Sequence, residues 1–523
     1  MKRLLKLGEK KAEKKIDERK EKAESPAPPL PPNLRIISIN NVIPPYTHVA
    51  VTRDAEGKLG YVVIEPHLSD YELNVINRIR EILVEELDLA AGELGTPAKR
   101  EEFLKGKVQD IINRYKIKLD PESVDKVIYY LIRDFVYLGK IEPFMRDHMI
   151  EDISCDAPNV PIYIWHREYE SLPTNITFEP EELNKFVVKL AYLAGRHISV
   201  AQPIVDGSLP DGSRINLTFG SEVTKKGSSF TIRKFRADPL TITDLIAFNT
   251  ISAEIGAYLW FLIENKASII VSGGTATGKT TFLNCLAMFI RPELKIVTIE
   301  DTAELNIPQE NLIQALTRSG FGIAGKAAEI TLFDLLKNAM RQRPDYIIVG
   351  EIRGEEAYTL LQAITTGHGG LSSMHADSVQ SAIYRLESEP MKIPRNFIAA
   401  INAIIILGRP HAEERAARRL LTCTEIMGMD PETKHLLTNT IYQWDAERDD
   451  FVHTGTSNFV KRVMAKKSLT EAVVNEDLGM KSTILRWMVE NNIRRHSEVA
   501  DIIRQFYFNP ERLYSKAKFG LKT

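Results

Sequence analysis

The chain has 523 residues, 44% hydrophobic and 26% charged, with 68 basic residues set against 70 acidic ones. That length exceeds what one hydrophobic core organises, so more than one domain is expected. The near-cancelled charge gives no global electrostatic reason to bind nucleic acid or an anionic membrane, and nucleic acid starts as an unlikely partner.

Met1–Glu24 is dense in Lys, Glu and Arg, with Leu4, Leu5, Leu7 and Ile16 as its large aliphatic residues. It reads as a solvated tail or exposed helix, or as an arm for acidic lipid headgroups or an acidic partner, since its lysines outnumber its acids. It lacks the apolar stretch of a secretory signal, so the N-terminus is expected to be mature and cytoplasmic. The prolines of SPAPPLPPN at Ser25–Asn33 predict a stiff linker, closing a segment 1–33. From 34 to 237 the pattern is α+β. YVVIEP at Tyr61–Pro66 predicts a strand, and Ser69–Leu89, Ser123–Leu138 and Glu181–Ala194 have helical spacing. Asp206-Gly207 and Asp211-Gly212 suggest tight turns before the strand SFTIRKF at Ser229–Phe235.

A second rhythm follows over 238–453. After a helix around Ile251–Glu264, the runs ASIIVSGG, KIVTIED, DYIIVGEI and GLSSMHAD each end in polar residues, with helical stretches between most of them. That alternation predicts an α/β unit with a parallel sheet, its ligand site beyond the carboxyl ends of the strands. The stretch 454–523 is largely helical by spacing and predicts an appended subdomain. Cys155, Cys285 and Cys423 are too scattered for a disulfide framework or a C-x-x-C zinc site, which favours a reducing compartment. The apolar run Ala399–Leu407, broken by Asn402, is about half the length of a bilayer-spanning helix.

The strongest chemical signal is Gly273-Gly274-Thr275-Ala276-Thr277-Gly278-Lys279-Thr280-Thr281, a G-x-x-x-x-G-K-[ST] loop placed between a strand and a helix. Glycines let backbone N–H groups turn inward around phosphates, Lys279 reaches the β and γ phosphates, and Thr280 ligates Mg²⁺. Glu300 and Asp301 end KIVTIED, a strand expected to lie beside that of the phosphate loop and within reach of the same Mg²⁺-nucleotide. In DYIIVGEI, Gly350 stands where most P-loop enzymes carry an Mg²⁺-holding Asp. Metal support then falls to Thr280, Glu351 or the Glu300–Asp301 pair, with Glu351 orienting or deprotonating the attacking water. His368 and His375 flank the run GGLSSM and are candidates for sensing the γ-phosphate.

These four blocks, in this order, resemble the secretion ATPase superfamily that powers type II and type IV secretion, type IV pili and the archaellum. The resemblance covers about Lys126 to Arg409, with a Walker A loop at Gly273–Thr281, an acidic box at Ile299–Leu305, a Walker B at Gly350–Arg353 and a histidine box at Thr366–Asp377. It implies a RecA-like P-loop NTPase domain with an α+β N-terminal domain and a helical C-terminal extension. It further implies an ATP- and Mg²⁺-dependent homohexamer docked peripherally on a polytopic membrane platform protein at the cytoplasmic face. LPDGSRIN and SFTIRKF resemble the family's two arginine-bearing segments, which makes Arg214 and Arg233 candidate γ-phosphate contacts. Arg196 is a weaker candidate. IRDFVYLGKIEPFMRDHMIEDISC and VIEP are in the style of the archaeal branch, among archaellum motors and archaeal pilus or secretion ATPases, and the motifs do not separate these systems. The rival is a RecA-like nucleic-acid-translocating ATPase, since that core does not choose its cargo.

Overall fold

The computed structural model describes residues 34–86, 96–235, 239–318, 329–412 and 415–520. The lysine-rich tail, its proposed contact with acidic lipid, and the proline-rich linker lie outside the described residues. The chain divides into two units after Phe235.

In the first unit, β1 (Arg35–Ile43), β2 (Thr47–Arg53) and β3 (Leu59–Ile64) form an antiparallel sheet in that order. Three helices follow, Asp70–Glu86, Pro97–Arg114 and Pro121–Phe135, and bury Val75, Ile79, Leu83, Leu104, Val108, Ile111, Val127 and Leu131 against one another. The middle helix was not expected: it is dense in charge, and only Leu104, Val108, Ile111 and Ile112 make its buried stripe. Asp120 caps the third helix by accepting the Ser123 N–H, with Pro121 in the first turn where its missing donor costs nothing.

A six-stranded antiparallel sheet completes this unit, from β4 (Ile150–Cys155), β5 (Tyr163–His166), β6 (Glu170–Pro173), β7 (Ile204–Ser208), β8 (Arg214–Thr218) and β9 (Ser229–Arg233). Its order is β6-β5-β4-β9-β8-β7. The helix Pro180–Leu193 covers one face through Leu183, Val187 and Leu190, packed with Ile215, Leu217, Phe230 and Ile232. Because strand side chains alternate, burying those four sends Arg214 and Arg233 to the opposite, exposed side, where they are direct cross-strand partners.

The second unit is built on a nine-stranded sheet. Its strands are β10 (Ile269–Gly273), β11 (Ile296–Glu300), β12 (Leu312–Leu316), β13 (Tyr346–Val349), β14 (Gly369–Met374) and β15 (Ala403–Gly408), then β18 (Arg419–Met429), β19 (Leu436–Asp445) and β20 (Asp450–His453). A two-residue hairpin, β16 (His411–Ala412) with β17 (Arg415–Ala416), lies apart from it. The order is β12-β11-β13-β14-β10-β15-β18-β19-β20, parallel up to β15 and antiparallel beyond.

The parallel strands inside the edge strand β12 are buried on both faces, with Ile269, Val271, Ile348 and Ile405 toward one core and Ile270, Ile347, Val349 and Ile404 toward the other. Double burial makes β10, β13 and β15 plain apolar runs, which carry no information about lateral order. The expected pairing of the phosphate-loop strand with KIVTIED is therefore corrected: β13 and β14 lie between β10 and β11. The run Ala403–Gly408 is a central strand, β15, hydrogen-bonded to β10. The helices Asn458–Lys467, Glu471–Glu490, His496–Phe508 and Pro510–Gly520 share the core on one face of the sheet, where Leu485, Met488 and Ile503 meet Trp260 and Phe289.

Candidate nucleotide site

The carboxyl ends of β10, β14, β13 and β11 lie in a row, and the chemistry-bearing residues sit along it. Gly273 ends β10 where a Cβ would fall 2.6 Å from both the Leu407 carbonyl oxygen and Thr277 Oγ1, so only glycine fits. Gly278, with φ +89°, caps the helix Lys279–Ala287 in the left-handed region that glycine adopts freely. Thr277 Oγ1 donates to the Gly274 carbonyl at 3.0 Å and braces the loop from within. Thr275 and Ala276 are exposed at its crest. Thr280 and Thr281 open the helix, half-buried.

Lys279 is largely buried, its Nζ donating to the Gly274 carbonyl at 2.8 Å and lying 3.3 Å from His375 Nδ1. The other ring nitrogen of His375 is 3.3 Å from Glu351 Oε1. An ammonium has only protons to give, so Nδ1 accepts and Nε2 carries the proton toward the carboxylate. Burial, then the Lys279 charge, lowers the His375 pKa and favours this neutral tautomer. Ser272 Oγ donates to the Ala376 carbonyl at 3.0 Å, and Ser373 Oγ to the Gly350 carbonyl at 2.7 Å, so the three strand ends are stitched together.

Glu351 Oε2 accepts from Arg353 Nη2 at 2.6 Å. Burial alone would raise this carboxyl, but Arg353, with His375 and Lys279 behind it, holds it below the ordinary carboxylate range. Glu300 behaves oppositely. Its Oε1 accepts the backbone N–H groups of Glu304 and Leu305, each at 3.0 Å, while its buried Oε2 has no partner among the described residues. Burial outweighs those two bonds and pushes it up to about 7.

Gly350 is closely packed: a Cβ there would lie 3.3 Å from Glu300 Cγ, so any larger residue would have to push the Glu300 side chain aside by a few tenths of an ångström. Asp301 is exposed, and its Oδ1 accepts from Thr317 Oγ1 at 3.3 Å. His368 is not brought to the site. It precedes the amino end of β14, where Nδ1 is 2.7 Å from the Pro344 carbonyl oxygen, while His375 follows the carboxyl end. In the first unit, Arg214 pairs with Asp206 at 2.8 Å across β7 and β8, and Arg233 lies in register with Asp152 of β4.

Three arginines at the site carry no sequence signature of their own role. Arg353 grips Glu351 from two residues further along the chain. Arg385 donates to the His375 carbonyl. Arg418 Nε donates to the Ala276 carbonyl at 3.1 Å from a segment 142 residues away, which no local pattern anticipates.

A phosphate loop after the central strand of a mostly parallel, doubly covered sheet is the RecA-like P-loop arrangement. Residues 138–476 match the family described as type II/IV secretion system protein. An uncharacterized protein of Methanocaldococcus jannaschii is 38% identical over 493 residues, spanning 89% of this chain and 87% of its own. A Mycobacterium tuberculosis protein named for conjugal transfer is 30% identical over 298 residues, spanning 54% of this chain and 82% of its own. The Legionella pneumophila ATPase DotB is 17% identical with a TM-score of 0.39, over 71% of this chain and 92% of its own. The chain belongs to the type II/IV secretion system protein family, and it is an ATP-hydrolysing enzyme of that family.

Proposed function

We propose that the chain is a hexameric, Mg²⁺-dependent ATPase that couples hydrolysis to assembly, rotation or secretion by an archaeal type IV filament or secretion system, through a polytopic membrane platform protein. The observation that carries this reading is the continuous Lys279–His375–Glu351 chain beside the phosphate loop. Lys279 and the loop amides hold the phosphates. Glu351, kept ionised, orients the attacking water, and His375 links it to the lysine whose charge changes partner when phosphate arrives. Arg214 and Arg233, exposed on the first unit, supply guanidinium charge to the leaving γ-phosphate.

Thr280 and Glu351 are hard oxygen donors suited to the water shell of Mg²⁺, an ion that offsets phosphate charge. Glu300 does not fit as a ligand, since one oxygen is taken by backbone donors and the other is sealed in. Among the described residues no group of three or more His, Cys, Asp or Glu side chains could hold a metal. The remaining ligands would be phosphate oxygens and water. Among those residues, too, no helix is long and apolar enough to cross a membrane.

Lys279→Ala is expected to abolish nucleotide binding. Glu351→Gln should still bind ATP while turnover falls on the order of 100-fold or more, read by single-turnover hydrolysis. Near-normal turnover in Glu351→Gln removes it from the mechanism. A DNA-moving reading draws on the relative named for conjugal transfer; ATPase stimulation by nucleic acid with a steep salt dependence would favour it over stimulation by a platform-protein domain.

A further inference from the structure

Three tyrosines of the first unit sit beside carboxylates, and two of them have a guanidinium over the ring. Arg133 Cζ lies 4.7 Å from the Tyr130 centroid, and that arginine is bonded to Glu65 and Asp134. Arg146 Cζ lies 4.7 Å from the Tyr137 centroid, with Nε 2.7 Å from Glu142. The third ring, Tyr46, packs against Tyr129 at 4.9 Å between centroids, the two planes tilted by 31°. Burial and then the charge of Asp125 raise its hydroxyl pKa, which marks a carboxylate close by. Among the described residues no guanidinium covers Tyr46.

Tyr46, Tyr137 and Asp125 line one cavity of about 560 Å³, together with Glu101, Glu102 and Lys105. Arg133 and Arg146 also line it, but their charges are met by their own carboxylates. The balance left in the cavity is Glu101, Glu102 and Asp125 against Lys105 alone, with Glu102, Lys105 and Asp125 exposed to solvent. An aromatic wall with excess carboxylate is complementary to a cation. The two filled examples alongside are both guanidinium groups over a tyrosine ring, and a guanidinium combines weak hydration with bidentate pairing in a way an ammonium does not.

We propose that this cavity receives an arginine side chain from a peptide segment of a partner protein, its guanidinium stacked on Tyr46 and paired with Asp125 and Glu102. The site is independent of the nucleotide chemistry in the second unit.

The test is calorimetric titration of the full chain with the peptide acetyl-Gly-Arg-Gly-amide, its citrulline counterpart, and spermidine. Saturable binding of the arginine peptide is expected, with no measurable heat from citrulline, which keeps the shape and loses the charge. Tyr46→Leu preserves every charge and removes the π face, and should weaken binding about fivefold, as should Asp125→Asn. Tyr46→Phe keeps the ring and should restore binding, which separates recognition from a general packing defect. Equal affinity in Tyr46→Leu, equal binding of citrulline, displacement of the peptide by equimolar spermidine, or no binding by the unaltered chain would each overturn the proposal.

Discussion

Two carboxyl groups at adjacent strand ends of the second unit are driven in opposite directions: Glu300 rises to about 7 through burial, while Glu351 is held low by Arg353. For Glu300 the folded state binds its proton more tightly than the unfolded chain. Its neutral form therefore adds stability that is fully present below the ordinary carboxyl pKa and is lost as pH rises through about 7. The swing is about 3 kcal/mol. Glu300→Gln should flatten the pH dependence of the urea midpoint between about pH 4.5 and 7; an unaltered profile would mean that Glu300 is ionised in the fold. His375→Ala should lower kcat more than it raises KM, because it severs the link between Lys279 and Glu351 without touching the loop amides. The residue types of the phosphate loop were legible because the spacing of the motif is contiguous and the left-handed backbone at Gly278 is a local demand, whereas the Leu407 carbonyl that also requires glycine at 273 is distant in sequence. The grip of Arg353, the carbonyl held by Arg385 and the seal around Glu300 depend on neighbours far away in sequence.

At the scale of elements, the helix Glu471–Glu490 is fixed by a fully buried ammonium. Lys481 Nζ is 2.7 Å from Glu264 Oε2, bonds Asp477, and lies 5.5 Å from the Phe261 ring centroid and 5.3 Å from that of Phe506. Removing one partner from a buried pair strands the others, so Lys481→Ala should cost about 3–5 kcal/mol. An unchanged thermal midpoint would show that the carboxylates reach solvent. The phosphate loop is equally constrained. Gly273→Ala forces a Cβ against the Leu407 carbonyl, so the loop must move, and nucleotide affinity measured by calorimetry should fall even where the unfolding midpoint holds. Helices with a clear apolar stripe, such as Pro180–Leu193, were legible within a residue or two. The antiparallel extension of β18, β19 and β20 was not, because β19 and β20 are largely out of the core and the apolar and polar residues of all three do not alternate cleanly.

For the whole molecule, the division after Phe235 separates exposed Arg214 and Arg233 from the phosphate loop in sequence and in core. The second unit alone, 239–520, has its own buried cores and is expected to bind ATP while hydrolysing it slowly; full activity from that fragment would remove both arginines from the mechanism. In the full chain, an Arg214→Ala, Arg233→Ala double variant should match the fragment's rate. Mass measurement in solution at working concentration tests the hexamer, with a stable monomer in saturating ATP as the contrary result.

The sequence by itself determined the phosphate-loop motif, the strand and helix that flank it, and the family to which the chain belongs. Those properties rest on short, contiguous stretches whose chemistry works only at fixed spacing. The tertiary structure alone decided that β13 and β14 lie between the phosphate-loop strand and the acidic strand, that His375 and not His368 reaches Lys279, and that Glu300 is sealed against Gly350. Strands buried on both faces are interchangeable as hydropathy patterns, so their lateral order, and every contact that follows from it, is settled only by how the whole sheet packs.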